Sequence, residues 1–156
     1  MNSFHHAPED YDCPFCRVAA GVPCPLPHTQ PGDVILQNEW VTAFIASGQW
    51  PNNPGHVLIV PNVHFENLYE LPLEYGTAIH AASRRVAVAF KDIYGCDGVS
   101  TRQHNEPDGG QDVWHCHLHV FPRYTDDRLY DLTAQRRTTE PEERQPYAAR
   151  LREALA

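Results

Sequence analysis

A segment in the last third of the chain alternates histidine with apolar residues, and this alternation restricts how the chain can fold. The segment reads Trp114-His115-Cys116-His117-Leu118-His119-Val120-Phe121-Pro122. Side chains of a β-strand point to its two faces in turn, so the three histidines would share one face and the apolar residues the other. The apolar face suits a hydrophobic core, whereas three imidazoles in a row are poorly explained by packing. The pattern predicts a strand that carries a chemical site.

Two kinds of site are compatible with this histidine face: a metal site, or a histidine nucleophile flanked by helper histidines. From the first histidine to the third, the strand spans about 13 Å at ~3.3 Å per residue. That span is too long for all three rings to bind one ion at ~2.1 Å, so at most two could share a metal. A separate role for each histidine is therefore favoured, and a metal-dependent hydrolase stays as a competing hypothesis.

The remaining sequence predicts an α+β domain with a mostly antiparallel, five-stranded sheet. Apolar residues recur at spacings of three and four between Pro72 and Tyr94, which predicts one long helix there. The proline-rich N-terminal part leaves room for one short helix after Cys13. High helix propensity predicts either a C-terminal helix or an ordered tail from Glu142 to Ala156. Short strands are predicted over residues 33–37 and 40–45, joined at Asn38-Glu39, and over residues 98–103 and 112–124. A further strand is predicted over residues 56–61, which are rich in β-branched residues.

The length and charge of the chain exclude several classes of partner. Its 156 residues suit one domain, and 12 basic against 20 acidic residues give a net charge of −8. An acidic chain is a poor partner for nucleic-acid polymers and anionic membranes. No apolar run reaches the ~18 residues of a membrane helix, and residues 1–12 lack the features of a secretory signal. Five cysteines, an odd number, then favour a reducing compartment, so we expect a cytoplasmic protein.

Cys13 and Cys16 form a Cys-x-x-Cys pair with three interpretations. A redox motif of this kind should follow an apolar strand and open a long helix, but acidic residues precede this pair. The second interpretation is a pair of ordinary buried thiols. The third is half of a zinc site, because Cys-x-x-Cys is standard ligand spacing and histidines can supply the other half. We favour the zinc interpretation.

Four blocks of the sequence together resemble the histidine triad (HIT) family. They are His115 to Phe121, Pro54-Gly55-His56-Val57-Leu58-Ile59-Val60-Pro61 with His64, Asn105 with Gly109-Gly110-Gln111, and Asp12-Cys13-Pro14-Phe15-Cys16. The blocks follow the order and spacing of the family over roughly residues 13–124. The resemblance implies a HIT-like fold for a domain at residues 13–125. The sequence on either side predicts a flexible tail at residues 1–12 and a partly helical extension at 126–156.

The resemblance implies a nucleotidyl hydrolase or transferase. Members of the family act at the α-phosphorus of a nucleoside phosphoramidate, a dinucleoside polyphosphate or a similar nucleotide. His117 corresponds to the family's nucleophile, which forms a covalent nucleotidyl-histidine. His119 and His56 correspond to histidines that stabilise charge on the phosphate, and His119 also to one that helps protonate the leaving group. No catalytic metal is required. A catalytically weak nucleotide-binding or regulatory protein of the same fold is the alternative.

The resemblance also implies a structural zinc ion, a homodimer and a nucleotide pocket. The implied zinc ligands are Cys13, Cys16, His64 and His115, which would join the N-terminal segment to the histidine strand. In the family, two copies of the chain pair across a two-fold axis. The residues that correspond to phosphate or substrate contacts are Asn105, Gly110, Gln111, Asp112 and Trp50.

Two positions depart from the family's usual residues. Asp112 stands where many members carry a serine or threonine that donates to the phosphate, so its carboxylate would repel a phosphate or turn towards a histidine ring or Arg123. The acidic and amide residues that usually hold the ribose correspond to Gly48 and Trp50. We expect Trp50 to stack on a base, to narrow the site, or to cover the core as an ordinary turn residue. The Arg136-Arg137 pair is typical of a solvated face.

Overall fold

Antiparallel strands form the centre of the fold in the computed structural model, which describes residues 4–156. The strands in this part of the chain are β1 (Val34–Gln37), β2 (Val41–Ile45), β3 (Gly48–Gln49), β4 (Val57–Pro61), β5 (Gly98–Gln103), β6 (Leu118–Arg123) and β7 (Arg137–Thr138). Five of them make one sheet in the order β1-β2-β4-β6-β5, and β3 pairs with β7 in a small second sheet. All these pairings are antiparallel. The architecture confirms the predicted fold class.

Helices accompany the sheet in the described part of the chain. They are α1 (Pro14–Ala19), α2 (Leu73–Tyr94) and α3 (Pro141–Leu155), with single 3-10 turns at Pro31–Asp33, Leu68–Glu70 and Thr133–Gln135. The long helix is confirmed, although Pro72 caps it with an extended backbone and is not its first residue. It ends at Gly95, whose φ of 60° is a left-handed conformation that glycine adopts without strain. Within residues 4–156, none of the helices combines the length and the apolar character that crossing a membrane requires.

The two faces of the sheet pack against different helices. One face, with Val120 of β6, packs beneath α2 and α3 in the larger core. On the other face, Phe44, Leu58, His119 and Arg102 form a row across β2, β4, β6 and β5 in which each residue lies opposite the next. Residues that lie directly opposite each other share a face. Because α1 packs on Phe44 and Leu58, the row brings His119 to the α1 side of the sheet.

The strand that carries the histidines is shorter than predicted. Its antiparallel register with β4, if continued, would set Cys116 opposite Pro61. Proline has no N–H for the ladder, and the N–H of Cys116 donates instead to the carbonyl of Phe65 at 2.7 Å. Strand structure therefore covers residues 118–123 of the predicted 112–124. His119 lies in the strand, while His115 and His117 lie in the segment before it.

The C-terminal residues pack into the same fold. The helix predicted over residues 142–156 is α3, and its Ala148 and Leu151 are buried in the larger core. Arg144 of this helix forms a buried ion pair with Asp33, with 3.0 Å between guanidinium nitrogen and carboxylate oxygen. The three-part division at residues 1–12, 13–125 and 126–156 stays a prediction. Residues 1–3 of the predicted tail lie outside the described residues.

Candidate active site and metal-binding cluster

Three histidines from different elements meet on the α1 side of the sheet. His119 lies in β6, His117 precedes β6, and His56 precedes β4. The ring centroids of His117 and His119 are 5.0 Å apart, and those of His56 and His119 are 5.6 Å apart. Each side chain is at most 7% exposed, and all three border a cavity of about 210 Å³. We call these three residues the histidine cluster.

His117 has one ring nitrogen bound to the backbone and the other left for chemistry. Its Nδ1 lies 2.7 Å from the carbonyl oxygen of His115. Because a carbonyl oxygen only accepts, Nδ1 carries the proton and Nε2 holds the lone pair. Burial lowers the pKa of His117 below its usual value, so the ring is neutral at pH 7. A neutral imidazole with an unprotonated Nε2 beside a cavity is suited to nucleophilic attack.

The other two histidines have buried ring nitrogens without partners. Among the described residues, neither nitrogen of His56 nor Nδ1 of His119 makes a hydrogen bond. Burial, followed by the charge of Arg102, lowers the pKa of His56 to about 3. Burial also lowers the pKa of His119 well below its usual value. Buried polar atoms are nearly always paired, so these nitrogens are suited to a ligand that supplies oxygen atoms.

Asp112 turns towards a histidine ring and an arginine. Its Oδ1 lies 3.9 Å from Nε2 of His117, and its Oδ2 accepts a hydrogen bond of 3.2 Å from Nη1 of Arg136. Arg123 forms its ion pair with Asp127 instead. Although Arg136 is 42% exposed, as expected of a solvated arginine, it also borders the cavity of the histidine cluster. No sequence motif marks Arg136, because the pairing of β7 with β3 places it there.

Trp50 is a wall of the cavity. Its ring is 2% exposed and packs edge-on against His56 and Phe121, at centroid distances of 5.3 and 5.1 Å. The guanidinium carbons of Arg102 and Arg136 lie 4.9 and 5.4 Å from the centre of the Trp50 ring. Arg102 is a second cation without a motif. Its place in β5, directly opposite a histidine of β6, is the signal that could have indicated it.

The predicted loop contacts lie outside the lining of this cavity. Gln111 donates from Nε2 to the carbonyl of Glu66 at 2.6 Å, and Asn105 accepts a hydrogen bond of 2.8 Å from the N–H of Leu68. Gly110 has a φ of 88°, which allows the loop to turn. These hydrogen bonds build the loop. A role for Asn105, Gly110 and Gln111 in substrate binding stays a prediction.

The Cys-x-x-Cys pair meets two histidines near α1. Cys13, Cys16, His64 and His115 each bring one donor atom, and these atoms lie within 4.8 Å of one another. Sγ of Cys13 lies 3.3 Å from Nδ1 of His115. Sγ of Cys16 lies 3.4 Å from Nδ1 of His64 and 3.5 Å from Nδ1 of His115. We call these four residues the thiol cluster.

The thiol cluster fits a tetrahedral metal ion. Ligand atoms of tetrahedral zinc lie about 3.6 Å apart, given bond lengths of ~2.1 to ~2.3 Å, which is close to the spacing of these donors. Nε2 of His115 lies 2.9 Å from the carbonyl oxygen of Pro61 and so carries the proton of the neutral ring. This leaves the lone pair on Nδ1, which faces the thiols. The four residues can therefore hold a zinc ion.

Comparisons with known proteins assign the family. The family model described as "HIT domain" matches residues 28–126. "Protein hit" of Bacillus subtilis is 33% identical over 113 residues, which cover 72% of each chain. The purine nucleoside phosphoramidase of Escherichia coli is 31% identical over 95 residues, which cover 58% of this chain and 76% of the relative. A zinc-bound histidine triad family protein from Mycobacterium smegmatis has a TM-score of 0.73 at 27% identity, over 92% of this chain and 93% of that chain. The chain therefore belongs to the histidine triad (HIT) family.

Proposed function

We propose that this protein is a nucleotidyl hydrolase or transferase that acts at an α-phosphorus through a covalent nucleotidyl-His117 intermediate. Its substrate is a nucleoside phosphoramidate, a dinucleoside polyphosphate or a similar nucleotide. The observation that carries the proposal is the 2.7 Å hydrogen bond from Nδ1 of His117 to the carbonyl of His115, because it leaves Nε2 unprotonated. The name of the Escherichia coli relative, a purine nucleoside phosphoramidase, supports the substrate class.

The proposed reaction has two displacements at phosphorus. Nε2 of His117 forms a bond to phosphorus while the bond to the leaving group breaks, and the leaving group takes the electron pair. A bound phosphate anion favours protonation of His119, which then gives a proton to an amine leaving group. A ring N–H of His56 donates to the phosphate oxygens, whose charge grows in the transition state. Water then attacks phosphorus and gives a proton to the now neutral His119. The P–N bond breaks, and its electron pair returns to Nε2, which leaves His117 as a neutral ring.

The test is capture of the intermediate. Incubation with a nucleotide labelled at the α-phosphate, followed by rapid denaturation at alkaline pH, should leave an acid-labile label on wild-type protein. The same treatment should leave no label on His117→Ala. Labelling that persists in excess EDTA would exclude the competing metal-dependent hydrolase. Turnover by His117→Ala would overturn the proposal.

A catalytically weak nucleotide-binding protein is the second candidate, and the position of Asp112 favours it. The carboxylate lies 3.9 Å from the nitrogen that would attack, where it repels an anionic phosphate. A weak enzyme would bind AMP but would turn over substrate very slowly until Asp112 is replaced. A large gain of turnover in Asp112→Ser would support this candidate. Efficient turnover by the wild type would exclude it.

We also propose that the thiol cluster binds a structural zinc ion. Two thiolates and two imidazoles fill a tetrahedral coordination shell, so no position is open for a substrate. Cys13 and Cys16 at the start of α1 would be joined to His64 in the loop after β4 and to His115 before β6. The zinc-bound relative from Mycobacterium smegmatis supports the identity of the metal. The proposed reaction in the histidine cluster needs no metal.

A homodimer and a cytoplasmic location complete the proposal. The strand β5 lies at an edge of the five-stranded sheet, where its outer backbone groups can pair with a second copy of the chain. The five cysteines are all free thiols, which suits a reducing compartment. Sedimentation should give twice the chain mass of 17.7 kDa. A monomer at micromolar concentration would contradict the dimer.

A further inference from the structure

Two arginines lie beside the histidine cluster, although the chain has a net charge of −8. The guanidinium groups of Arg102 and Arg136 both lie over the ring of Trp50, at 4.9 and 5.4 Å from its centre. Arg136 borders the same cavity as His117. Burial and then the charge of Arg136 lower the pKa of Arg102, so the two cations repel each other, and a bound anion relieves this repulsion. The pair is therefore suited to an anionic group of a ligand.

The two arginines differ in their contacts. Nε of Arg102 is buried and has no hydrogen-bond partner among residues 4–156. Arg136 donates to Asp112, and the two side chains are 42% and 51% exposed. Exposed ion pairs of this kind contribute little to stability. Asp112 therefore holds Arg136 weakly, and a ligand with more negative charge can take its place.

The backbone explains why Arg136 reaches this cavity. The pairing of β7 with β3 sets Thr138 opposite Gly48, and neighbouring residues of an extended segment point to opposite sides. Arg136 packs over Gly48, where an added Cβ would lie 3.4 Å from its Cδ. Arg137 forms an ion pair with Glu143 instead. One of two adjacent arginines thus reaches the histidine cluster, and the other serves as a natural control.

We propose that Arg136, together with Arg102, binds a second phosphate group of the substrate, the one that leaves when His117 attacks the α-phosphorus. This inference rests on the proposed function and narrows its substrate class to nucleotides with a phosphoanhydride bond. When that bond breaks, the leaving phosphate oxygen takes the electron pair and gains negative charge, which the arginines stabilise. A phosphoramidate instead releases an amine, which gains no such stabilisation.

Asp112 competes with the substrate for Arg136. In the free protein, its carboxylate accepts a hydrogen bond from the guanidinium of Arg136 and lies 3.9 Å from Nε2 of His117. A phosphate that approaches this nitrogen meets a negative charge until Asp112 turns away. When the leaving phosphate replaces Asp112 at Arg136, the carboxylate is free to leave the cavity. A substrate with two adjacent phosphates brings more negative charge to Arg136 than a single phosphate does, and so favours this exchange more strongly.

The experiment compares the kcat/KM for diadenosine tetraphosphate with that for adenosine phosphoramidate. Arg136→Ala should lower the value for the polyphosphate about tenfold or more, the loss typical of one charge-assisted hydrogen bond. The value for the phosphoramidate should fall by a smaller factor, because its leaving group makes no contact with Arg136 and only the repulsion from the now unpaired Asp112 affects it. Arg136→Lys should restore part of the loss, since the charge remains. Arg137→Ala, the matched control, should keep the wild-type ratio.

The inference and the proposed function fail in different ways. An unchanged ratio of the two kcat/KM values in Arg136→Ala overturns the inference, and so does an equal change of the ratio in Arg137→Ala. The proposed function fails if the wild type turns over neither substrate or if His117→Ala turns over both. In that case the binding affinities for ADP and AMP, measured by calorimetry, test the inference instead of turnover. Calorimetry should show that wild-type protein binds ADP about tenfold more tightly than AMP and that Arg136→Ala does not; equal wild-type affinities overturn the inference.

Discussion

Two histidines that are two residues apart use opposite ring nitrogens. His115 belongs to the thiol cluster and His117 to the histidine cluster, and the ring of Phe15 packs edge-on against both, at 5.9 and 5.2 Å. Nε2 of His115 donates to the carbonyl of Pro61, which leaves Nδ1 for the thiols. Nδ1 of His117 donates to the carbonyl of His115, which leaves Nε2 for the cavity. In each cluster a backbone carbonyl selects the nitrogen that is available for chemistry.

The neighbours of each free nitrogen then decide what it can do. Nδ1 of His115 faces two thiols and His64, a closed set of soft donors that suits zinc. Nε2 of His117 faces a cavity bordered by Asp112 and three further histidines, His28, His56 and His119. A closed donor set holds an ion, and an open cavity admits a substrate. The same residue type is therefore suited to holding a metal ion in one cluster and to nucleophilic attack in the other.

Removing one ring at a time should separate the two clusters, with the largest effect on turnover. His117→Ala should lower nucleotide turnover by at least about a thousandfold, because the nucleophile is lost, and should keep its zinc. His115→Ala should lose the zinc. Turnover assays and elemental analysis of the purified proteins measure both. The exposed His80 of α2 provides the control, since His80→Ala should match the wild type in both respects. Zinc loss in His117→Ala would contradict the separation of the clusters.

Loss of one thiol should destabilise the protein through the metal. Cys13→Ser should contain almost no zinc, and its free energy of unfolding should fall by about 4 kcal/mol at free zinc a thousandfold above Kd. Urea unfolding with and without EDTA measures this difference, because EDTA should bring the wild type to the level of the variant. Cys24→Ser is the matched control, since Cys24 is a buried free thiol outside the thiol cluster. Equal stability of wild type and Cys13→Ser in zinc-containing buffer would argue against a structural ion.

Replacing Phe15, which contacts a histidine of each cluster, with a smaller side chain should affect both clusters. Phe15→Leu removes the edge contacts with His115 and His117 and should destabilise the protein by about 1 kcal/mol. Turnover and zinc affinity should both fall by a few-fold, because each histidine ring loses its edge contact with the Phe15 ring. Phe90→Leu, in the core on the α2 side, should cost similar stability without changing either quantity per folded molecule. If turnover and zinc affinity of Phe15→Leu match those of Phe90→Leu, then the contacts of Phe15 do not support the two clusters.

The pH dependence of stability should report the burial of His56. Its pKa falls from 6.5 to about 3 on folding, so below pH 6.5 the unfolded chain binds a proton that the folded protein does not. Stability therefore decreases as the pH decreases, and His56 contributes about 1 kcal/mol of this loss between pH 7 and pH 5.5. His56→Leu should lack that contribution. Urea unfolding of both proteins at the two pH values, in EDTA so that zinc release plays no part, measures it. A difference between the proteins that is independent of pH would show that His56 titrates normally when folded.

Local patterns in the sequence predicted the elements well. The spacing of apolar residues predicted the long helix to within one residue of Leu73–Tyr94. Short apolar or alternating runs predicted the five strands of the main sheet, although the strand predicted over residues 112–124 covers only residues 118–123. The ligand spacing of Cys13 and Cys16 likewise indicated a pair that meets two histidines. In each case the information lies within a few residues of the element itself.

Contacts between distant segments were not predictable in the same way. The strand with the histidines begins at Leu118 because Pro61, on another strand, cannot continue the ladder. Arg136 lies 24 residues after Asp112, and its place beside the histidine cluster depends on two-residue strands that no sequence pattern reveals. Arg102 lies beside His119 only because β5 pairs with β6. The acidic chain thus has local cations at the proposed phosphate site, which its net charge does not indicate.

The sequence by itself determined which groups are available: an alternating row of histidines, a Cys-x-x-Cys pair and the strands and helix that carry them. The family resemblance assigned His115 and His117 to different sites, and only the tertiary structure shows what physically divides them. The carbonyls of Pro61 and His115 select different ring nitrogens, and Phe15 packs edge-on against both rings. Alternation along a chain depends on local backbone geometry, whereas a tautomer depends on the one acceptor that the fold brings to the ring. For that reason two histidines two residues apart, with the same sequence signature, belong to two different clusters.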